Sequence, residues 1–200
     1  MKSIFTVTDE TTIHALLDRI EYGTLALAHE DQPYSLPVNF VRIGNALYFH
    51  GSKKGRKIDT MQANPRASFS VVEAGSVIPS YFSSTDGLAC PATQFFASVM
   101  VEGTIAFVDD YDEKVTALTA LMEKLQPEGH YKPLSDTAYQ KAIHATTLWQ
   151  LDPQSITAKY KFGQHLTPER FERIMEHLKR RNTDTDQHTL KQMQETEHTM

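Results

Sequence analysis

The segment ALYFHGSKKGRKIDTMQANP, residues 46–65, is the part of the chain that decides the fold. ALYFHG has the apolar and aromatic composition of a β-strand, and two glycines punctuate the loop that follows it. Ile58 and Met61 then recur at helical spacing, and an Asn-Pro pair ends the helix. The segment therefore predicts a strand, a short basic loop and a helix.

Four cations of this segment lie where the predicted helix begins: Lys53, Lys54, Arg56 and Lys57. Cations at a helix N-terminus oppose the helix dipole, whose positive end lies there. A bound anion would reconcile the two, because backbone N–H groups and cations would then converge on one phosphate. The segment predicts a phosphate site, and a solvated basic turn is the other interpretation.

Length and composition exclude several classes of protein. The chain has 200 residues, a net charge of −5 and one cysteine, Cys90. The acidic balance argues against general nucleic-acid binding, and one cysteine excludes an intramolecular disulfide framework. The histidines do not cluster at metal-ligand spacing, so no metal site is predicted. No apolar run approaches the ~20 residues that span a bilayer, and the N-terminus does not read as a signal peptide. We expect a cytoplasmic protein with neither nucleic acid nor membrane as a partner.

Periodicity predicts a mainly β fold with peripheral helices. The predicted strands are 23–29, 34–43, 45–51, 66–73, 94–108 and 145–162, and further helices are predicted after Thr8 and over 110–125 and 167–181. Residues 74–92, which are rich in Ser, Gly and Pro, predict a long loop. Trp149 is expected in the core. This order of elements is typical of a small antiparallel barrel.

The C-terminal segment 182–200 is polar and has few large apolar side chains. That composition predicts a frayed or disordered tail. Residues 1–181 would then form one domain that includes the last predicted helix. Deleting residues 184–200 is expected to leave folding and cofactor content unchanged.

The chain resembles the FMN-binding split-barrel superfamily, which includes the pyridoxamine 5′-phosphate oxidases. Arg56 and Lys57 match the phosphate-binding segment of those oxidases, and Gly55 stands where they have a serine. The resemblance is greater to the 5-nitroimidazole-resistance (Nim-like) branch. Six blocks in the family's order carry it: YGTLAL (22–27), PYSLPVNF (33–40), LYFHG (47–51), GRK with its helix and NPR (55–66), SVMVEG (98–103) and ITAKYKFGQ (156–164). The resemblance implies a split β-barrel that binds FMN.

The resemblance also implies which strand residues lie beside the flavin. Pro37, Val38 and Asn39 would pass the isoalloxazine ring, and Ser98 stands where the oxidases have a glutamine that touches the flavin. Proline in a strand removes a ladder hydrogen bond. From the residues alone, a simple edge strand therefore explains Pro37 equally well.

His50 and the basic loop complete the implied site. A histidine at this position lies near the flavin in the Nim-like branch, so the resemblance implies a catalytic role for His50. The residue itself could donate to an oxyanion, relay a proton or bind a metal, or a backbone carbonyl could satisfy it. Arg56 is expected to hold the FMN phosphate in bidentate fashion, with Lys57 as a point charge and Ser52 as a hydroxyl donor.

The resemblance implies an FMN-dependent oxidoreductase of the nitroreductase or flavin reductase type, acting on a small molecule. Two alternatives stay open. One is a haem-binding protein with His165 or His50 as axial ligand, and the other is a flavin-binding module without turnover. The family also implies a homodimer that completes the cofactor pocket, and Phe95, Phe96 and Val99 are candidates for its seam.

Overall fold

The chain folds into two compact units that are interleaved in sequence. The structure is a computed structural model and describes residues 3–197, without the side chain of residue 197. The larger unit comprises Glu10–Val71 and Val99–Thr157, and the smaller unit comprises the described parts of Met1–Asp9, Val72–Ser98 and Ala158–Met200. Three long strands therefore contribute residues to both units.

An antiparallel sheet forms the main body of the fold. Its strands are β1 (Thr6–Val7), β2 (Tyr22–His29), β3 (Gln32–Asn39), β4 (Val41–Ile43), β5 (Ala46–Gly51), β6 (Arg66–Ile78), β7 (Thr93–Val108) and β8 (Thr147–Lys161). Their order is β3-β2-β6-β7-β8-β5-β4, with β1 on β8, and this path is not closed. A mainly β split barrel with peripheral helices, as predicted, is confirmed.

Alternation of buried and exposed side chains explains why these segments are strands. In β2, Leu25 and Leu27 are buried while the residues between them face outward, which is the period of two that a half-buried strand requires. The same alternation buries Phe95 and Val99 of β7, while Phe96 on the opposite face is half-buried. Phe95 and Val99 are therefore core residues of this chain and do not have the exposure that a subunit seam needs.

Aromatic side chains fill the core of the larger unit. Phe49 stacks on Trp149 with ring centroids 6.0 Å apart, and Phe69 meets both Phe40 and Phe49 edge to face. All four side chains are fully buried. Trp149 is thus in the core, as predicted, and its ring packs against Phe49 at the end of β5.

Seven α-helices lie in the described chain: α1 (Glu10–Arg19), α2 (Arg56–Ala63), α3 (Ser80–Ser83), α4 (Tyr111–Leu125), α5 (Gln140–Ala145), α6 (Pro168–Arg181) and α7 (Asp184–Glu197). Asp110 caps α4 by accepting the Glu113 N–H, and Asn182 ends α6 in a left-handed conformation. Between residues 3 and 197, no helix is both long enough and apolar enough to cross a membrane.

The predicted loop 74–92 is wrong for its first half. Strand β6 continues to Ile78 and α3 follows, so that irregular structure is confined to about residues 84–92. Gly75 lies within this extension, where a Cβ atom would come 2.9 Å from the carbonyl oxygen of Phe95. The glycine that suggested a loop is therefore needed for close approach of two strands.

The predicted disorder of residues 182–200 is wrong for the part that the structure describes, and residues 198–200 lie outside it. Helix α7 occupies Asp184–Glu197, and Asp186, Thr189 and Met193 are buried. The Asp186 carboxylate accepts hydrogen bonds from Arg181 and from the Ser76 hydroxyl, both at 2.6 Å. Polar residues that are hydrogen-bonded can be buried, and a count of apolar residues does not reveal this.

Candidate functional site

The basic loop joins the end of β5 to the start of α2. Strand β5 pairs with β8 so that Phe49 lies opposite Trp149 and His50 lies opposite Leu148. Gly55 precedes α2 with a φ of 110°, a conformation that favours glycine, and no side chain caps the helix. The N–H groups of Ile58 and Asp59 bond to the carbonyl oxygen of Gly55, so the N–H groups of Arg56 and Lys57 are the ones that a ligand could meet.

Arg56, the first residue of α2, lies over the start of β3. Its guanidinium carbon is 4.4 Å from the centroid of the Tyr34 ring, and its Nη2 donates to the carbonyl oxygen of Pro33 at 3.4 Å. A cation–π contact and one long hydrogen bond orient this exposed side chain without neutralising it. Among residues 3–197 no other hydrogen bond of this guanidinium is found, so its remaining N–H groups can meet an anion.

Lys57 lies on the face of Trp149, with its Nζ 4.4 Å from the ring centroid. A Cβ atom at Gly51 would come 2.5 Å from this Nζ, so the glycine makes room for the ammonium group. Burial lowers the pKa of Lys57. Within residues 3–197 the indole Nε1 of Trp149 is buried and has no hydrogen-bond partner.

The cations of the loop have no acidic partners in the described chain. Lys53 donates to the carbonyl oxygen of His144 at 2.8 Å, and no ion pair between residues 3 and 197 includes Lys53, Lys54, Arg56 or Lys57. Two aromatic rings and one carbonyl oxygen thus position three of the four cations. An uncapped helix start with unneutralised cations has the donor set that a phosphate group requires.

The Ser52 hydroxyl stabilises the turn of the basic loop. It donates to the carbonyl oxygen of Lys54 at 3.1 Å and accepts from the N–H of Lys54 at 3.2 Å. Both bonds close a turn of two residues. The hydroxyl proton predicted for a phosphate is therefore used within the loop in this structure.

His50 is exposed at the end of β5, and its electrostatics are coupled to the loop. Its pKa is lowered from the ordinary value of 6.5, first by desolvation and second by the charge of Lys57. Both effects favour the neutral imidazole. A neutral imidazole can accept a proton at one ring nitrogen and donate one from the other.

The other predicted residues lie on two different strands. Pro37, Val38 and Asn39 end β3, which is the outermost strand of the sheet order, opposite Thr24, Gly23 and Tyr22 of β2. Because Arg56 contacts Tyr34, Pro37 is about 10 Å farther along the same strand. The side-chain amide of Asn39 donates to the carbonyl oxygen of Glu21 at 3.1 Å. Ser98 belongs to the smaller unit, where it is half-buried on β7.

The sequence profile described as "Pyridoxamine 5′-phosphate oxidase" matches residues 9–160. The chain belongs to this family. The match includes β2 to β7 and most of β8, and therefore the whole of the basic loop and α2. Helices α6 and α7 lie beyond it.

Several solved structures have a fold similar to that of this chain. A proposed 5-nitroimidazole antibiotic resistance protein from Bacteroides thetaiotaomicron is 20% identical, over 77% of this chain and 85% of that one, with a TM-score of 0.64. A flavocytochrome from Azotobacter vinelandii is 23% identical, over 84% and 74%, with a TM-score of 0.67. A FAD and heme binding protein from Mycobacterium smegmatis is 24% identical, over 78% and 73%, with a TM-score of 0.63. At these identities the likeness shows the fold.

A curated relative is similar over a shorter stretch. It is an uncharacterized protein from Rhizobium meliloti, 42% identical over 56 residues, which cover 28% of this chain and 36% of that protein. The match therefore spans about a third of the length of that relative.

Two residues of the site escaped the sequence analysis of this oxidase-family chain. Tyr34 supports Arg56, and Trp149 supports Lys57 besides packing in the core. Tyr34 lies in the PYSLPVNF block that carries the family resemblance, and this position could have indicated that Tyr34 belongs to the site. For Trp149 no signal existed, because 92 positions separate it from the lysine that it supports.

Proposed function

We propose that this chain binds FMN, with the phosphate at the start of α2, and uses it as an oxidoreductase acting on a small molecule. One observation carries the proposal: Arg56 and Lys57 flank an uncapped helix N-terminus and have no acidic partner in residues 3–197. Membership of the oxidase family, and solved relatives named for FAD, heme and flavocytochrome, support a flavin.

The phosphate would be held by three kinds of donor. Arg56 offers a planar fork for two phosphate oxygens, Lys57 offers a point charge, and the first turn of α2 offers backbone N–H groups. Tyr34 and Trp149 hold the two cations in place before the ligand arrives. Such preorganisation lowers the entropy that binding costs.

The edge strand β3 would contact the flavin ring. An edge strand presents N–H and C=O groups that no neighbouring strand uses, and proline at position 37 limits how another strand could pair there. The N–H groups of successive residues in an antiparallel strand point alternately toward and away from the partner strand. One of the two N–H groups of Val38 and Asn39 therefore lies on the side away from β2, where it could meet the polar edge of the ring. Strand β3 would thus run along the cofactor, with Tyr34 near the phosphate and with Pro37 and Asn39 near the ring.

FMN, when bound, supplies the electron or hydride transfer. His50 would then serve as the proton-handling side chain, since desolvation and, second, the charge of Lys57 lower its pKa and so favour the neutral ring. An exposed neutral imidazole at the end of β5 can exchange its proton with water and with a substrate.

Titration with FMN tests the phosphate site. The double variant Arg56→Ala/Lys57→Ala should weaken FMN binding by on the order of 10²–10⁴-fold, since each charge-assisted hydrogen bond contributes about 1.5–3 kcal/mol. The matched control Lys53→Ala/Lys54→Ala removes the same charge from the same loop and should weaken binding far less. Riboflavin, which lacks the phosphate, should bind the wild type and the first variant about equally. If the Arg56→Ala/Lys57→Ala variant binds FMN as tightly as the wild type, the loop is only a solvated turn.

An absorbance spectrum of the loaded protein separates the cofactor alternatives. Flavin absorbs in the blue, whereas haem gives a Soret band. Anaerobic addition of NADH or NADPH then separates an oxidoreductase from a flavin-binding module, because only the former bleaches. For haem, His165 lines a cavity of about 200 Å³, which is below the size of ordinary cofactor pockets, so the structure offers no specific support for that ligand.

We also propose a homodimer that completes the flavin pocket, as the family resemblance implies. Strand alternation places Ser98 and Met100 on the same face of β7, and the Met100 side chain is 46% exposed. A large apolar side chain on an outward strand face is the type of residue that a subunit seam buries. This face, with Met100 in place of Phe95 and Val99, is the candidate seam.

A further inference from the structure

The smaller unit contains a cavity of its own, with a volume of about 200 Å³. It lies between the irregular segment after α3 and the first two turns of α6. Its polar lining comes from Ser83, Cys90, Thr93, His165 and Arg170. At ~30 Å³ per water, the volume equals about seven water molecules. The cavity can therefore hold a small ligand or one end of a larger one.

Arg170 is a cation without an acidic partner in this cavity. Its Nη2 donates to the Ser83 hydroxyl at 2.6 Å, and its Nε is buried with no partner among residues 3–197. No ion pair in that part of the chain includes Arg170. A buried donor without a partner and a charge without a counter-ion both cost free energy. An anion in the cavity would satisfy both.

The rest of the lining has the same electrostatic character. The described lining includes no aspartate or glutamate. Thr93 accepts a hydrogen bond from the ammonium group of Lys161, which places a second cation one hydroxyl away. The pKa of Lys161 is lowered by burial and by the charge of Lys159. Arg170 in the lining and Lys161 behind Thr93 therefore both bring positive charge to the cavity.

We propose that this cavity is a binding site for a small oxyanion, a carboxylate or phosphate group, held by the guanidinium of Arg170 and the hydroxyl of Ser83. The guanidinium fork matches the spacing of two oxygens on either group. Apolar side chains such as Ile174 and Phe95 border the same space, so the part of the ligand beside the oxyanion meets an apolar wall. The site is built from the smaller unit alone, and its lining includes none of the residues proposed to hold FMN.

Cys90 provides a reporter for this cavity. It lines the cavity, it is exposed, and it is the one cysteine of the chain. The rate at which iodoacetamide, an uncharged reagent, alkylates this thiol therefore reports on the cavity. Inorganic phosphate and acetate are titrated separately into the full-length protein at constant ionic strength, with sodium chloride as the reference salt. Calorimetry gives the affinity of each anion independently.

We expect at least one of the two anions to slow alkylation of Cys90 in a saturable way. The anion that binds with the higher affinity identifies the oxyanion, carboxylate or phosphate, that the site prefers. Arg170→Gln should weaken that binding tenfold or more. Arg180→Gln removes the same charge from an exposed position of α6, where it pairs only with Glu176, and should leave binding unchanged. Ser83→Ala, which keeps Arg170, should weaken binding severalfold, and it tests the site even if Arg170→Gln fails to fold.

Two results would overturn the proposal. One is that neither phosphate nor acetate binds saturably to the wild type. The other is that Ser83→Ala binds the anion as tightly as the wild type does and that Arg170→Gln, if it folds, also does.

Discussion

His50 and Lys57 are coupled through charge at the end of β5. The pKa of His50 is lowered mainly by desolvation, and Lys57 contributes the second cause. Lys57→Met keeps the length of the side chain and removes its charge, so the pKa of His50 should rise part of the way towards 6.5. An NMR titration of the His50 ring in the protein without added flavin measures this.

Lys54→Met serves as the matched control, because Lys54 is an exposed cation of the same loop that is not among the causes of the His50 shift. It should leave the pKa of His50 unchanged. A His50 pKa that is the same in both variants and in the wild type would mean that desolvation alone lowers it.

The sign of the pH dependence follows from the same shift. Because the pKa of His50 is lower in the folded chain than its ordinary value of 6.5, the unfolded chain binds more protons as the pH falls through 6.5. The contribution of His50 to the free energy of unfolding therefore decreases in that window. His50→Gln should flatten the stability profile below about pH 7 in denaturant titrations, and an unchanged profile would mean that the pKa of His50 is not lowered by folding.

At the scale of the element, α7 is held by one buried polar network. Asp186 is fully buried and accepts hydrogen bonds from Arg181, Ser76 and the N–H of Thr183. Asp186→Asn leaves the Arg181 charge without its partner and should lower the free energy of unfolding by roughly 3 kcal/mol. Chemical denaturation measures the difference.

Asp184→Asn is the matched control, since Asp184 is exposed in the first turn of the same helix. It should cost less than about 1 kcal/mol, the size of an exposed helix-dipole effect. The hydrogen bond from Arg181 strongly lowers the pKa of Asp186 from its ordinary value of 3.8. The free energy of unfolding of the wild type should therefore decrease as the pH falls below about 4. Equal stability of the two variants would mean that the network does not hold α7.

Deletion of residues 184–200 has the opposite expected outcome from the one that composition suggested. The deletion removes the buried side chains Asp186, Thr189 and Met193 and leaves Ser76 and Arg181 without their partners. We expect a lower melting temperature or loss of soluble protein. A truncated chain that melts like the wild type would show that α7 is dispensable.

At the scale of the whole molecule, the proposed dimer and the proposed flavin site depend on each other. Light scattering at micromolar concentration should give a dimer for the wild type. Met100→Glu places a charge on the outward face of β7 and should give a monomer with weakened FMN binding. A wild-type monomer that still binds FMN tightly would contradict the shared site.

Leu125→Glu is the control for that experiment. Leu125 is 39% exposed at the end of α4, away from β7 in sequence. The same charge there should leave both the dimer and FMN affinity unchanged. If Leu125→Glu dissociates the dimer as well, the seam lies elsewhere or charge alone disrupts assembly.

The sequence by itself determined the features that depend on near neighbours. The alternation in β2 and β7, the strand, loop and helix of residues 46–65, and the cations at the start of α2 all follow from spacings of two to four residues. Only the tertiary structure decided that Lys57 lies on Trp149, that Arg56 lies on Tyr34, and that Asp186 is paired with Arg181 and Ser76. All three depend on partners that are remote in sequence, and local periodicity carries no information about such partners. A polar segment such as α7 therefore reads as disordered until the groups that satisfy it are known.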